Sequence, residues 1–200
     1  MKTSLFIFVI ASIISLSSIR SQSQSPVLDT DGKPLVSGHN YYIVPAMSGR
    51  GGGFKLVPTT QNQTCPLDVV QENNEHLNGQ PLSFSLAIPF KGGVVRESAD
   101  VNIIFTGATS CDQPAVWRVE EAVGHRVVSS RGNLGGPSPG TVNNWFKIEK
   151  FENSYKIVFC PKVCNTCRLN CGDVGSKIAK NGRITLVLNT KPLKVKFKKA

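Results

Sequence analysis

Val27-Leu28-Asp29-Thr30-Asp31-Gly32-Lys33-Pro34-Leu35, followed by Tyr41-Tyr42-Ile43-Val44, is the stretch on which the reading of this chain turns. It begins with an extended apolar entry and reverses at Asp31-Gly32, where glycine accepts left-handed geometry at little steric cost. Pro34 fixes the exit and lacks the amide that a central sheet ladder would need. The run from Tyr41 is aromatic and β-branched, the composition of a strand. A tight turn between extended segments is the local grammar of a β-protein.

The rest of the chain repeats that grammar. Short runs rich in β-branched and aromatic residues fall at Leu67–Gln71, Leu82–Ile88, Val101–Phe105, Val116–Glu120, Trp145–Glu149, Tyr155–Cys160, Ile184–Leu188 and Leu193–Phe197. Turn clusters separate them at Gly49–Gly53, Lys91–Gly93, Gly132–Gly140 and Lys180–Gly182. No long segment keeps apolar residues at helical spacing. The pattern predicts an all-β domain, with strands anchored by Tyr41, Trp117 and Tyr155. It does not separate a sandwich from a barrel, and no repeat period emerges.

Met1-Lys2 followed by Leu5–Ala11 reads as a basic n-region and an apolar h-region, ending in Ser-rich sequence. The run is too short to span a bilayer, which needs about 20 apolar residues. Residues 1–23 are therefore expected to be a cleaved secretory signal, and 24–200 a single mature domain. About 177 residues suffice for one real core. Cleavage removes Lys2 and Arg20 and no acids, lowering the formal charge of +10 by two, to +8. Lys191, Lys194, Lys196, Lys198 and Lys199 alternate with Leu193, Val195 and Phe197, as on the solvated face of a last strand. No nucleic-acid motif accompanies the charge, and no second apolar run suggests a membrane partner.

Six cysteines behind a secretory leader read as disulfides, for which spacing alone allows 15 connectivities. Four of them crowd into Cys160-Pro-Lys-Val-Cys164-Asn-Thr-Cys167-Arg-Leu-Asn-Cys171. In a reducing compartment that cluster would suit zinc, or a redox pair at Cys164 and Cys167. Secretion argues against both, and no metal or other cofactor is expected.

Enzyme signatures are missing. There is no Gly-x-Ser-x-Gly elbow, His-Glu-x-x-His, Walker loop or Rossmann fingerprint. Gly49–Gly53 is the nearest approach to a phosphate cradle, yet no Lys-Ser, Lys-Thr or helix follows it. His39, His76 and His125 are read as lying in unrelated polar loops. Asn62-Gln63-Thr64 is the one sequon with an allowed middle residue, and marks Asn62 for N-glycosylation.

The ordered set Asp29, Asp31, Gly32, Lys33, Leu35, Tyr41 and Ile43 resembles the N-terminal signature of the plant Kunitz family of the soybean trypsin inhibitor type. Cys65-Pro66-Leu67-Asp68-Val69-Val70-Gln71 resembles that family's first-cysteine strand. Trp145–Glu149, Tyr155–Pro161, Cys171–Gly175 and Pro192–Phe197 continue the likeness to the C-terminus. Tyr155–Gly175 resembles the miraculin-like branch. The resemblance implies a β-trefoil with disulfides Cys65–Cys111 and Cys160–Cys171, plus an extra bridge Cys164–Cys167.

It also implies a monomeric, secreted inhibitor of trypsin-like serine endopeptidases, in the apoplast or vacuole, and not an enzyme. The family pattern places the protease-binding loop on Ala87-Ile88-Pro89-Phe90-Lys91-Gly92-Gly93. Lys91 falls at the specificity position, Pro89 two residues before it, and Lys91–Gly92 is the bond presented; Arg96 is a lesser basic candidate. Family inhibitors often carry Asn where Ser37 stands, bracing the loop from inside, and larger residues where Gly92-Gly93 stand. Both departures predict weaker or altered trypsin inhibition. The alternatives are a non-inhibitory storage, stress or ligand-binding role, or inhibition of cysteine or aspartic proteases through another loop.

Overall fold

The computed structural model describes residues 24–60, 63–109, 111–112, 115–122 and 124–200, so the expected leader and Asn62 lie outside the described residues. Among the described residues the strands are β1 (Tyr41–Pro45), β2 (Phe54–Pro58), β3 (Leu67–Gln71), β4 (Leu82–Leu86), β5 (Asp100–Phe105) and β6 (Arg118–Ala122), then β7 (His125–Ser129), β8 (Phe146–Phe151), β9 (Ser154–Phe159), β10 (Gly172–Ile178), β11 (Ile184–Leu188) and β12 (Val195–Lys199). The paired strands are antiparallel. Six of them follow one another as β12-β1-β4-β5-β8-β9, and pairing of β9 with β12 closes the ring into a barrel. The other six form the hairpins β2–β3, β6–β7 and β10–β11. Contacts of β3, β7 and β11 with one another gather these hairpins into a cap. Each third of the chain thus gives two barrel strands and one hairpin, which is the β-trefoil.

Alternation explains why the barrel strands form where they do. In β12, Val195 and Phe197 are buried while Lys196, Lys198 and Lys199 are exposed. In β1, Tyr41 and Ile43 point inward opposite Lys199 and Phe197. A strand with one dry and one wet face has its register fixed, since a one-residue slip would exchange the faces. The interior is filled by two groups of rings. Phe84 and Tyr155 pack on Phe197 at 5.7 and 5.6 Å between centroids, with Tyr41 beside Phe84. Trp117 packs on Phe54 and Phe146 at 5.5 and 5.8 Å, with Phe159 beyond Phe146.

All six cysteines are paired, as Cys65–Cys111, Cys160–Cys171 and Cys164–Cys167. The thiolates that a zinc or dithiol site would need are therefore spent in this state. Cys65–Cys111 spans 46 positions and ties the start of β3 to the chain beyond β5. On the loop-closure model such a bridge removes a few kcal/mol of unfolded-state entropy. The amides of the Gly49–Gly53 turn are taken up within the chain: Gly49 N–H donates to the Glu75 carboxylate, Gly52 N–H to Glu72 O and Gly53 N–H to Leu77 O. His125 lies at the start of β7 rather than in a loop. The run read as a strand over Leu82–Ile88 ends at Leu86, which leaves Ile88 72% exposed.

Two expectations follow. Phe197 is fully buried between two rings, so Phe197→Ala should cost about 3–5 kcal/mol in a urea melt. Lys156 donates to Asp173 Oδ1 at 2.9 Å, and that bond raises its pKa above the ordinary value. Partial burial pulls the other way, while the charges of Asp173 and Glu149 add to the rise. A raised folded-state pKa gives stability that is complete below the ordinary value of 10.5 and lost as pH climbs through the raised value. Lys156→Met should therefore cost under about 1 kcal/mol at neutral pH. The gap from wild type should hold up to pH 10.5 and close above it, as denaturant melts across the alkaline range would read.

Candidate functional site

The Val27–Leu35 stretch is a small hairpin that lies across the chain segment leaving the β4–β5 loop. Asp29, nearly buried, sets its turn: one carboxylate oxygen accepts the N–H groups of Asp31 and Lys33, both at 2.9 Å. Leu35 N–H donates to Val27 O and closes the hairpin. Two core tyrosines fasten it to the barrel. Leu28 N–H donates to the Tyr155 hydroxyl at 2.9 Å, and Val36 N–H to the Tyr41 hydroxyl at 3.0 Å.

That hairpin in turn grips residues 93–95. Ser37 N–H donates to Gly93 O at 2.8 Å, Val95 N–H to Leu35 O at 2.9 Å and Val27 N–H to Val95 O at 3.0 Å. At the other stem, Ala87 N–H donates to Asp100 O at 2.9 Å, continuing the β4–β5 ladder by one residue. Between these clamps Ile88, Pro89, Lys91 and Gly92 are exposed and Phe90 is half-buried. The result is a short protruding loop on two fixed stems.

Lys91 opens a single 3-10 turn, Lys91–Gly93. Gly92 has φ 73° and ψ 8° and Gly93 has φ 66°, both in the left-handed region that L-residues with a Cβ avoid. Gly93 N–H donates to Phe90 O at 2.9 Å and closes the turn. The paired glycines therefore serve a defined reversal just after Lys91. Arg96 does not compete for the apex. Its guanidinium stacks 5.6 Å over the Phe90 ring and donates to Gln24 O at 2.7 Å, holding the loop's base.

Ser37 acts differently from the side-chain brace expected of its position. Its hydroxyl donates to Phe84 O at 2.8 Å, on the strand entering the loop. The contact with the loop's exit is made by its main-chain N–H, a group every residue but proline carries. The clamp formed by residues 26–37 on 93–96 is the part of the site that residue-by-residue reading missed. The hint available was Pro34: a residue without a donor, in an otherwise strand-like stretch, belongs to an edge segment that pairs through its neighbours.

The profile of the Kunitz legume family, described as trypsin and protease inhibitor, matches residues 27–199. This chain belongs to that family. Miraculin of Synsepalum dulcificum is 44% identical over 193 residues, covering 92% of this chain and 87% of miraculin. Kunitz trypsin inhibitor 5 of Arabidopsis thaliana is 39% identical over 206 residues, covering both chains completely. Among solved structures, soybean trypsin inhibitor in its complex with porcine pancreatic trypsin superposes with a TM-score of 0.69 at 32% identity, over 88% of this chain and 99% of that one. Membership in this family of protease inhibitors sets the chain apart from enzymes.

Gly93→Ala would force a Cβ onto a left-handed residue whose N–H and C=O are both engaged. A loss of about 1–2 kcal/mol in unfolding free energy is expected. Limited proteolysis should also show earlier nicking within 88–93 than in wild type.

Proposed function

We propose that this protein is a secreted, reversible inhibitor of trypsin-like serine endopeptidases, acting in plant defence, with Lys91 as the side chain that enters the protease's specificity pocket. The observation that carries the proposal is an exposed lysine on a short loop whose two stems are fixed at Ala87–Asp100 and Ser37–Gly93. A loop held by its scaffold loses little entropy on binding. A lysine ammonium also suits the buried carboxylate of a trypsin-like pocket. In this reading Pro89 and Phe90 lead into the Lys91–Gly92 bond, and Ser37 supports the exit.

The left-handed Gly92 bears on strength. A protease binds a substrate chain extended, so presenting Lys91–Gly92 requires Gly92 to leave φ 73°. Glycine makes that rotation cheaply, but ordering it adds an entropic cost to binding. The proposal is therefore of a weaker inhibitor than a loop already extended past its basic residue would give. A leader cleaved before Gln24, a monomeric mature chain and a glycan at Asn62 belong to the same reading. The three disulfides support an extracellular or vacuolar destination.

A second reading rests on Ile88, the most exposed large apolar side chain of the loop at 72%. It would fill the apolar specificity pocket of a serine protease other than trypsin. Titrating trypsin with the mature protein should give stoichiometric inhibition, and Lys91→Ala should weaken it by about 100-fold, the loss of a hot-spot anchor. Absence of inhibition by wild type at micromolar protein would sink the trypsin reading. Inhibition of subtilisin that survives Lys91→Ala and fails with Ile88→Ala would move the anchor to Ile88.

A further inference from the structure

The long connection from β7 to β8 carries a second exposed loop, on Arg131-Gly132-Asn133-Leu134-Gly135-Gly136. Residues 132–136 run without turn or bend, and none of their three glycines takes a left-handed φ. Leu134 stands in the middle of that run, 51% exposed. A single exposed leucine is ordinary on a protein surface. What sets this one apart is the backbone that carries it.

That backbone is held on both sides of Leu134. Before it, Gly132 N–H donates to Val116 O at 2.9 Å, and Asn144 Nδ2 donates to Asn133 O at 3.0 Å. Asn144 is only 1% exposed, and its main chain is fixed twice: its N–H donates to Thr141 O, and its carbonyl accepts Asn102 Nδ2 at 2.8 Å. After Leu134, Thr141 Oγ1 donates to Gly136 O at 2.8 Å. A Cβ at Gly135 would stand 3.3 Å from Thr141 Cγ2, so the chain passes close over this support. At the root, Arg131 pairs with Asp68 of β3 and Glu120 of β6. The Asn144 amide thus braces a loop carbonyl from the interior, which the Ser37 hydroxyl, spent on Phe84 O, does not do for the Lys91 loop.

We propose that residues 132–136 form a second protease-binding loop, which presents Leu134 and the Leu134–Gly135 bond to a serine endopeptidase of chymotrypsin-like preference. A protease takes its substrate chain extended and seats one side chain in its specificity pocket; a hydrophobic slot accepts leucine where a buried carboxylate accepts lysine. Gly92 must leave a left-handed turn before its loop can be read in that way, whereas 132–136 contains no reversal to undo. A segment whose flanking carbonyls are already held has little entropy left to lose on binding. The second loop shares no residue with 87–93, so the two readings stand or fall separately.

Titrating chymotrypsin with the mature Lys91→Ala/Ile88→Ala protein isolates this loop from both anchors of the other. Stoichiometric inhibition is expected, and adding Leu134→Ala should weaken it by about 100-fold. Leu134→Lys in the same background should transfer inhibition from chymotrypsin to trypsin. Positions 88, 91 and 134 are all exposed, so these changes leave the core as it is. Absence of chymotrypsin inhibition by Lys91→Ala/Ile88→Ala at micromolar protein overturns the proposal, whatever wild type does to trypsin. So does inhibition unchanged by Leu134→Ala, a Leu134→Lys protein that leaves trypsin active, or rapid cutting after Leu134 with no lasting complex.

Discussion

Two phenolic hydroxyls fasten the N-terminal hairpin, and through it the β4–β5 loop, to the barrel. Tyr41 and Tyr155 have their rings in the core against Phe84 and Phe197, and their oxygens receive the amides of Val36 and Leu28. A buried tyrosine needs a partner for its hydroxyl, and here the partner is the backbone of the N-terminal hairpin. The hairpin is thereby positioned by the same rings that fill the barrel. It passes that position on through Val27, Leu35 and Ser37 to residues 93–95. Loop geometry is thus coupled to core packing along one continuous set of bonds.

The loop combines a rigid base with a turn that only glycine holds without strain. Arg96 stacked on Phe90 and bonded to Gln24 keeps the base in place. Above it, Gly92 and Gly93 fold the backbone back immediately after Lys91. Rigidity below and a reversible turn above act in opposite directions on binding: the first lowers the entropy to be lost, the second restores part of it. Asp100, whose carbonyl fixes the entry stem, also pairs its carboxylate with Lys147 at 3.3 Å.

The barrel was largely legible in the sequence: the runs at Tyr41, Leu82, Val101, Trp145, Tyr155 and Leu193 fall on barrel strands, and two cap strands, β3 and β11, coincide with Leu67–Gln71 and Ile184–Leu188. β2, β7 and β10 were not legible. Phe54–Pro58 is pressed between a glycine turn and a proline, His125–Ser129 begins with polar residues, and Gly172–Ile178 contains two glycines and buries only Val174 and Gly175. All three belong to the cap, and their short or polar-headed runs lack the apolar density that marks the cap strands β3 and β11. The threefold arrangement was hidden for the same reason: it resides in pairing between hairpins, which composition does not record. At the candidate loop, family resemblance pointed to residues 87–93, and Lys91 is exposed there. The main-chain grip of residues 26–37, and a lysine buried at position 147 in an ordinary strand run, required the coordinates.

That grip is made almost wholly of amides and carbonyls, the part of a protein that substitution leaves unchanged. Residues 88, 89 and 91 can therefore be rewritten without loosening either stem, provided that Phe90 keeps its stack with Arg96 and that Gly92 and Gly93 keep their turn. The scaffold in effect separates inheritance of the frame from experiment at the tip. A lineage, or a designer, can exchange one recognition sequence for another on this trefoil while the core that folds it stays the same.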